Sequence, residues 1–372
     1  TGVEMTDWQM LVEKWEGRDS FIKLPRFGDR TGPRRFTTTL QSLHAYRGRF
    51  TYEDHETPWG VVAPNLDLTI TNSNGYNGSA VFHGGLVSIQ EYVPMWAEFS
   101  AHFFINGSKL HLDRIEMTTD GAVSSAEGDL DFNRWPEMTY RVKSRVQFQR
   151  MRELFFKDER WALSGAGDFA GTFHLFKGGY DLAGDFRSEL AGLYDYRFPG
   201  LFGSLHWNRT GFEVFNAGSR FSGGDAAFAF SIAPLGAPTK PTGRFDASYT
   251  NVDLAQLTDF YRLPGLRFAG RATGRNLLEW PMGRFSEHRG EGQAVVTPPA
   301  DVTPMPPSLD AVRAADHGHA RHEWGPLLPI PLAAHLPVAG QLTYVYGPDT
   351  VTVSDGRFVT EKTHVEIGRA HV

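Results

Sequence analysis

The sequence contains no cysteine among its 372 residues. This absence excludes disulfide scaffolds, Cys-x-x-Cys redox centres, thiolate metal sites and cysteine nucleophiles. No stretch approaches the roughly 18 consecutive apolar residues of a membrane-spanning helix. Neither sign of charge dominates, because the chain has 37 basic and 43 acidic side chains and a net charge of −6. A nucleic-acid partner is not expected, since such proteins carry a basic face or a high pI.

The composition is nevertheless rich in core-forming and turn-forming residues. Hydrophobic residues make up 41% of the chain, with 28 Phe, 12 Tyr and 9 Trp. The 40 Gly and 22 Pro are a heavy load of turn formers, which disfavours an all-helical protein. These numbers predict a sizeable core built from β-structure.

From about residue 40 onward, apolar and polar residues alternate with a period of two. Phe99, Ala101, Phe103 and Ile105, for example, alternate with polar residues at 98, 100, 102 and 106. Such alternation places the apolar side chains on one face of a sheet. Turn pairs such as Asn74-Gly75 punctuate the strands and favour hairpins. The predicted fold is mainly β: an elongated antiparallel sheet, curled into an open groove, with a few short helices.

Three segments have helical spacing instead. Trp8, Leu11, Val12 and Trp15 recur at i, i+3, i+4 and i+7, which predicts a helix over residues 6–16. The spacing over 146–162 and over 253–262 predicts two further short helices that cross the sheet.

These patterns divide the chain into five parts. A short helix and a loop over 1–39 lead into the sheet, and repetitive strands fill 40–296. A proline-rich irregular insertion follows over 297–338, and further strands occupy 339–366. Residues 367–372 resemble the translation of a sequencing adapter, so this tail is expected to be non-native and the chain to be an internal fragment.

Four segments resemble a known family. They are LHAYRGRFTY at 43–52, LDLTI at 66–70, AGSRFSGGD at 217–225 and LRFAGRATG at 266–274. These segments are similar to the β-groove of AsmA-like and TamB (translocation and assembly module) envelope proteins. The resemblance extends over most of residues 1–366 in style, without an invariant motif.

The resemblance implies a location and partners. In that family a long sheet curls into a trough that is apolar inside. The parent protein is anchored in the inner membrane by an N-terminal helix, and a C-terminal domain faces the outer membrane assembly machinery. The expected location is therefore the periplasm, and the expected ligand is the acyl chain of a phospholipid.

The strand pattern itself also favours an apolar ligand. The predicted helices are too few to cover one apolar face of so many strands, so that face is expected to line a groove. No residue needs to be catalytic, and no cofactor is expected. The groove candidates are Leu66, Leu68, Ile70, Phe99, Phe103, Ile105, Leu110, Leu112, Phe173, Leu175, Phe228, Phe230, Ile232, Leu342 and Tyr344.

Other functions remain open alternatives. One is a structural or adhesin-like β-solenoid whose core is sealed, and another is a carbohydrate-active enzyme built on a long sheet. No Gly-x-Ser-x-Gly elbow or phosphate-binding loop is present. His317, His319 and His322 form a weak candidate metal site, because His-x-His spacing can chelate zinc or copper.

Overall fold

The structure, a computed structural model, describes residues 1–20, 39–56, 59–89, 92–134, 137–261, 267–299, 335–360, 364–367 and 370–371. It contains 73% strand and 6% helix. The prediction of a mainly β chain, with an antiparallel-dominated sheet and few short helices, is confirmed. The chain forms two compact units, one of residues 1–196 and 204–211 and the other of 197–203 and 212–372.

Unit 1 holds the first thirteen strands, the last of which also contributes its middle residues to unit 2. These strands are β1 (Gly2–Thr6), β2 (Gln9–Trp15), β3 (Arg18–Asp19), β4 (Ser42–Asp54), β5 (Trp59–Asn72), β6 (Tyr76–Ile89), β7 (Met95–Asn106), β8 (Lys109–Thr119), β9 (Ala122–Asp131), β10 (Met138–Gln147), β11 (Leu163–Phe176), β12 (Gly179–Leu193) and β13 (Tyr196–Asn208). From β4 to β12 each strand pairs antiparallel with the next. β1 and β2 both pair parallel with β4.

The helix predicted over 6–16 is wrong, because this segment forms strand β2. Val12 is fully buried, whereas Leu11 is 55% exposed, so the side chains alternate as in a strand. The spacing of the apolar residues fits both periods over so short a window. Pairing with β4 decides between them, because it gives β2 a ladder of backbone hydrogen bonds.

Unit 2 is built from the remaining strands. They are β14 (Phe212–Phe221), β15 (Gly224–Ala233), β16 (Thr242–Asp253), β17 (Phe268–Ala269), β18 (Arg271–Pro281), β19 (Arg289–Thr297), β20 (Leu336–Pro337), β21 (Ala339–Tyr346), β22 (Val351–Val359), β23 (His364–Ile367) and β24 (Ala370–His371). An antiparallel ladder runs through β14, β15, β16, β18, β19, β21, β22 and β23. The short strands β17 and β20 pair parallel. Most of the predicted insertion, residues 300–334, lies outside the described residues.

The two α-helices are short. Helix α1 (Phe148–Phe155) and helix α2 (Leu254–Tyr261) each have eight residues and lie inside the segments that the sequence predicts as helical. Two 3-10 turns, Phe132–Arg134 and Phe285–Glu287, complete the helical content of the described residues. Among those residues, no helix has the length and apolar content needed to cross a membrane.

The sheet of unit 1 bends back on itself. Glu56 follows β4 and Lys177 follows β11, so a flat ladder would separate the two turns by roughly 30 Å at about 4.8 Å per strand. Instead, Lys177 Nζ lies 3.5 Å from Glu56 Oε1. Register shifts in the β6–β7 and β7–β8 pairs contribute, because bulges bend a strand and increase its twist. The predicted curl is therefore present in this unit.

Candidate functional site

The strand register places the ten groove candidates of unit 1 on one face of its sheet. Residues that pair directly across an antiparallel ladder point to the same side. One row crosses seven strands in the order Ile70, Gly78, Phe103, Leu112, Gly128, Tyr140 and Phe173. Ile105, Leu110, Leu130, Met138 and Leu175 form a neighbouring row on the same side. We call this side the apolar face of unit 1.

The five candidates of unit 2 also share a face. One row contains Phe230, Phe245, Leu278, Gly290 and Tyr346, and the next contains Phe228, Ala247, Asn276, Gly292 and Tyr344. Ile232 and Leu342 lie on the same side, opposite Gly243 and Ala294. This side is the apolar face of unit 2.

Most of the candidate side chains remain partly accessible. Leu175 and Ile232 are buried, with 6% and 1% of their surface exposed, and the other thirteen are half-buried. Leu110, Phe173 and Leu175 belong to a core cluster, so they pack against protein. Their rows carry no Asp, Glu, Lys, Arg or His among the described pairs. These candidate rows are therefore uncharged.

Charges lie on the opposite side, which we call the charged face. There Arg141 contacts Glu127 at 2.7 Å and Arg145 contacts Asp168 at 3.0 Å. These side chains are largely exposed, so each pair contributes little to stability, on the order of 0–1 kcal/mol. Their main effect is to fix which face meets water, because a one-residue register slip would bury them.

A group of five rings spans the curled sheet of unit 1. Phe155 of α1 packs edge-on against Tyr92 and Trp207, with ring centroids 5.2 and 5.0 Å apart. Tyr180 contacts Trp207 at 5.6 Å. Trp59, from the start of β5, packs against the same cluster as Tyr180. We call these five rings the aromatic bridge, because they join strands far apart in the ladder and cover part of the apolar face.

Helix α1 is held in place by both backbone and side-chain contacts. Its Leu154 is fully buried, and the carbonyl of Leu154 accepts a hydrogen bond from the Val93 amide at 3.3 Å. Arg150 donates to Asp120 at 2.8 Å, and the Gln149 side chain accepts from the Leu163 amide at 2.9 Å. These contacts attach the helix to the β6–β7 and β8–β9 connections and to the start of β11.

An ion cluster lies where the two turns of unit 1 meet. Lys14 contacts Asp54 at 3.1 Å and Glu56 at 2.9 Å, and the Asp54 side chain has no exposed surface. The Lys14 hydrogen bond, aided by the charges of Lys14 and Lys177, holds the pKa of Glu56 below its ordinary value. Burial alone would lower the pKa of Lys14, but Glu56 and Asp54 raise it. These contacts join the turn after β4 to the turn after β11 and so stabilise the curled sheet. The ion cluster consists of Lys14, Asp54, Glu56 and Lys177.

Unit 2 carries a group of polar side chains on its apolar face. The Asn276 amide donates to Tyr346 Oη at 2.9 Å and accepts from Tyr344 Oη at 3.1 Å. Tyr346 Oη also donates to the Leu277 carbonyl at 2.9 Å, and Tyr249 hydrogen-bonds Tyr344. Burial raises the pKa of both Tyr249 and Tyr346, so these phenols stay neutral. We call these four side chains the Tyr–Asn cluster.

Tyr344 is the one member of the Tyr–Asn cluster that the sequence predicted. The other two tyrosines could have been found from the glycines that lie opposite them. A Cβ added to Gly292 or Gly290 would fall within the Tyr344 or Tyr346 ring, and one added to Gly274 would meet Tyr249. These rings therefore lie flat over glycines of the adjacent strand. Tyrosine opposite glycine, repeated along neighbouring strands, predicts such a flat arrangement.

Two groups of side chains could in principle bind a metal ion. His317, His319 and His322 lie outside the described residues. Sequence reasoning missed a second group, Glu13, Glu53 and His55, whose ligand atoms lie within 4.8 Å of one another. Glu53 and His55 are exposed, and exposed acidic groups need no ion.

No protein-family model, no curated protein and no solved structure matches the chain significantly. The likeness to AsmA-like and TamB proteins therefore stays a prediction from the sequence.

Proposed function

We propose that the chain binds phospholipid acyl chains along its apolar faces, as a non-enzymatic segment of an envelope protein of the AsmA and TamB type. In that role it would carry lipid between the inner and outer membranes, or support outer membrane biogenesis, from the periplasm. The observation that carries the proposal is the set of uncharged candidate rows on the two apolar faces, where most of the Phe and Leu side chains remain partly accessible.

The energetics favour an apolar ligand on such a surface. Each CH₂ kept out of water is worth about 0.8 kcal/mol, so a sixteen-carbon chain loses on the order of 12 kcal/mol when it is exposed. A face on which apolar rows follow one another keeps most of the chain covered at each position. Sliding from row to row then avoids that barrier, while the polar headgroup stays in water.

The aromatic bridge favours a second function for part of unit 1. Where Trp59, Tyr180 and Trp207 pack together, the apolar face is covered by protein and needs no guest. A sealed structural β-segment, the rod alternative, accounts for this region as well as a groove does. The candidates Phe228 and Phe230 of unit 2 are half-buried and lie outside this bridge, so the lipid proposal applies to them directly.

Site-specific photocrosslinking tests the proposal. Benzoylphenylalanine in place of Phe230 or Phe103, on the apolar faces, should crosslink to phospholipid when the full chain is expressed in a Gram-negative periplasm. The matched controls are Val295 and Val123, which are 53% and 62% exposed on the charged face. They should give no lipid adduct. Mass spectrometry of the crosslinked chain identifies the bound lipid.

The outcomes separate the functions. Adducts at Phe230 and Phe103 but not at the two valines support the groove. Adducts at Phe230 alone restrict the groove to unit 2 and assign unit 1 to the sealed structure. Absence of lipid at both phenylalanines, in a chain that folds normally by circular dichroism, overturns the proposal in favour of a structural rod.

A further inference from the structure

The Tyr–Asn cluster is a neutral polar site on an otherwise apolar surface. Its row neighbours on the apolar face of unit 2 include Phe228, Phe245 and Leu278. Ligand sites are typically apolar with a few placed polar groups, which fix the orientation of the ligand. The cluster has this composition, and the acyl-chain proposal does not use it.

The hydroxyl groups are brought to Asn276 by the geometry of the sheet. Tyr344 lies over Gly292 and Tyr346 lies over Gly290, both on β19, the strand next to Asn276. The two rings therefore point across that strand, and their hydroxyls bond the amide of Asn276 on both sides. Tyr249 approaches from the other side over Gly274. Three strands thus position one amide and three phenols.

The hydrogen-bond inventory leaves room for one more acceptor. A side-chain amide has two hydrogens on its nitrogen. Asn276 Nδ2 uses one for Tyr346 Oη, and no second acceptor for this nitrogen lies among the described residues. Asn276 is half-buried and lies in a row of the apolar face, the side on which a guest would lie.

The chemistry of the cluster selects a neutral acceptor. The rows around it contain no charged side chain among the described pairs, so nothing there balances a phosphate or a carboxylate, whose burial without a partner is costly. An ester carbonyl is neutral, accepts hydrogen bonds and is attached directly to an acyl chain. We propose that the second amide hydrogen of Asn276, whose side chain is held in place by Tyr344 and Tyr346, donates to the ester carbonyl of a diacyl lipid whose chain lies on Phe228 and Phe230.

This inference rests on the proposed function, and it predicts selectivity between two lipids that differ only in their two ester carbonyls. The probes are a diester phosphatidylcholine and its diether analogue, each with the same fluorescent acyl or alkyl chain. The full chain should bind the diester about fivefold more tightly, the effect of one net hydrogen bond. Asn276→Leu should bind both lipids with the weaker affinity, so the preference disappears.

Two further variants keep the test interpretable. Tyr344→Phe retains the ring over Gly292 and removes one hydroxyl, so it should reduce the preference even if Asn276→Leu folds poorly. Tyr140→Phe is the matched control, because Tyr140 lies on the apolar face of unit 1 and its hydroxyl donates to Met138 Sδ at 3.0 Å. That variant should keep the full preference.

The result that overturns the inference is equal binding of diester and diether lipid by the unsubstituted chain, which would leave the proposed function standing. Loss of the preference in Tyr140→Phe as well would also overturn it, because the selectivity would then not come from the cluster. Failure of the unsubstituted chain to bind either lipid would overturn the proposed function itself.

Discussion

The two units build the same kind of face and treat it differently. In unit 1 the sheet curls until turns that are far apart in the ladder meet, and the aromatic bridge and ion cluster join them. In the described part of unit 2, the contacts on the apolar face join nearby strands, as in the Tyr–Asn cluster. Strand alternation therefore determines which face is apolar, whereas long-range contacts determine how much of it stays accessible.

The comparison can be tested with one thiol per unit, since the chain has no cysteine of its own. Ala63→Cys in unit 1 and Ala272→Cys in unit 2 place a thiol at positions that are 1% and 5% exposed. The rate at which a disulfide reagent labels each thiol in urea reports the opening of that unit alone. Each variant below is made in both backgrounds.

The largest effect is expected from Lys14→Met. This change removes the Lys14 ammonium from Asp54, whose side chain has no exposed surface, and breaking a buried pair from one side costs about 3–5 kcal/mol. The thiol at position 63 should become reactive at much lower urea, while the thiol at position 272 keeps its profile. Lys177→Met is the control, because Lys177 is 70% exposed and its loss should cost less than about 1 kcal/mol.

A smaller effect is expected when helix α1 loses its buried side chain. Leu154 is fully buried, so Leu154→Ala should destabilise unit 1 by about 3 kcal/mol through the cavity it leaves. Leu342→Ala, on the half-exposed face of unit 2, should cost roughly 1 kcal/mol because less surface is removed from contact. Equal costs in the two units, measured by labelling in urea, would show that the two faces are equally covered.

The smallest effect concerns pH. The hydrogen bond from Lys14 lowers the pKa of Glu56 below its ordinary 4.5, so this carboxylate stabilises the folded chain above pH 4.5 and the contribution is lost as pH falls through the lowered value. The Arg275 hydrogen bond likewise lowers the pKa of Asp246 in unit 2.

High salt should distinguish the contributions of Glu56 and Asp246 to acid sensitivity. Arg275 is 61% exposed, whereas Lys14 is 11% exposed, and about 1 M salt screens exposed charges over roughly 3 Å. The acid sensitivity of unit 2 should therefore fade in 1 M salt while that of unit 1 persists. Glu56→Gln should remove the persistent component, and Asp246→Asn should not. Labelling with a reagent that reacts at acidic pH measures both.

The sequence could predict the faces of the sheet because they depend on local alternation. Phe173 and Phe230 each follow a period of two, and a strand with one apolar side has few other options. The helices within 146–162 and 253–262 were also predictable, because their apolar spacing extends over eight residues or more.

The contacts that cover unit 1 could not be predicted in this way. Trp59 and Tyr180 lie 121 positions apart and on strands that do not pair. Whether they meet depends on twist accumulated over several strands and on bulges, which leave only weak marks in a single sequence. The error at residues 9–15 has the same origin, because a parallel partner, β4, overrides the local helical spacing.

The strand-by-strand ladder also bears on how such a protein can change its length. In unit 2 each strand of the ladder pairs chiefly with its immediate neighbours, so removing or duplicating a whole hairpin preserves inside and outside. In unit 1 the same edit would carry Lys177 away from Glu56 and part the rings that bridge the curl. Unit 2 could therefore gain or lose hairpins by gene duplication or deletion. In unit 1 the ion cluster and the aromatic bridge fix the number of strands.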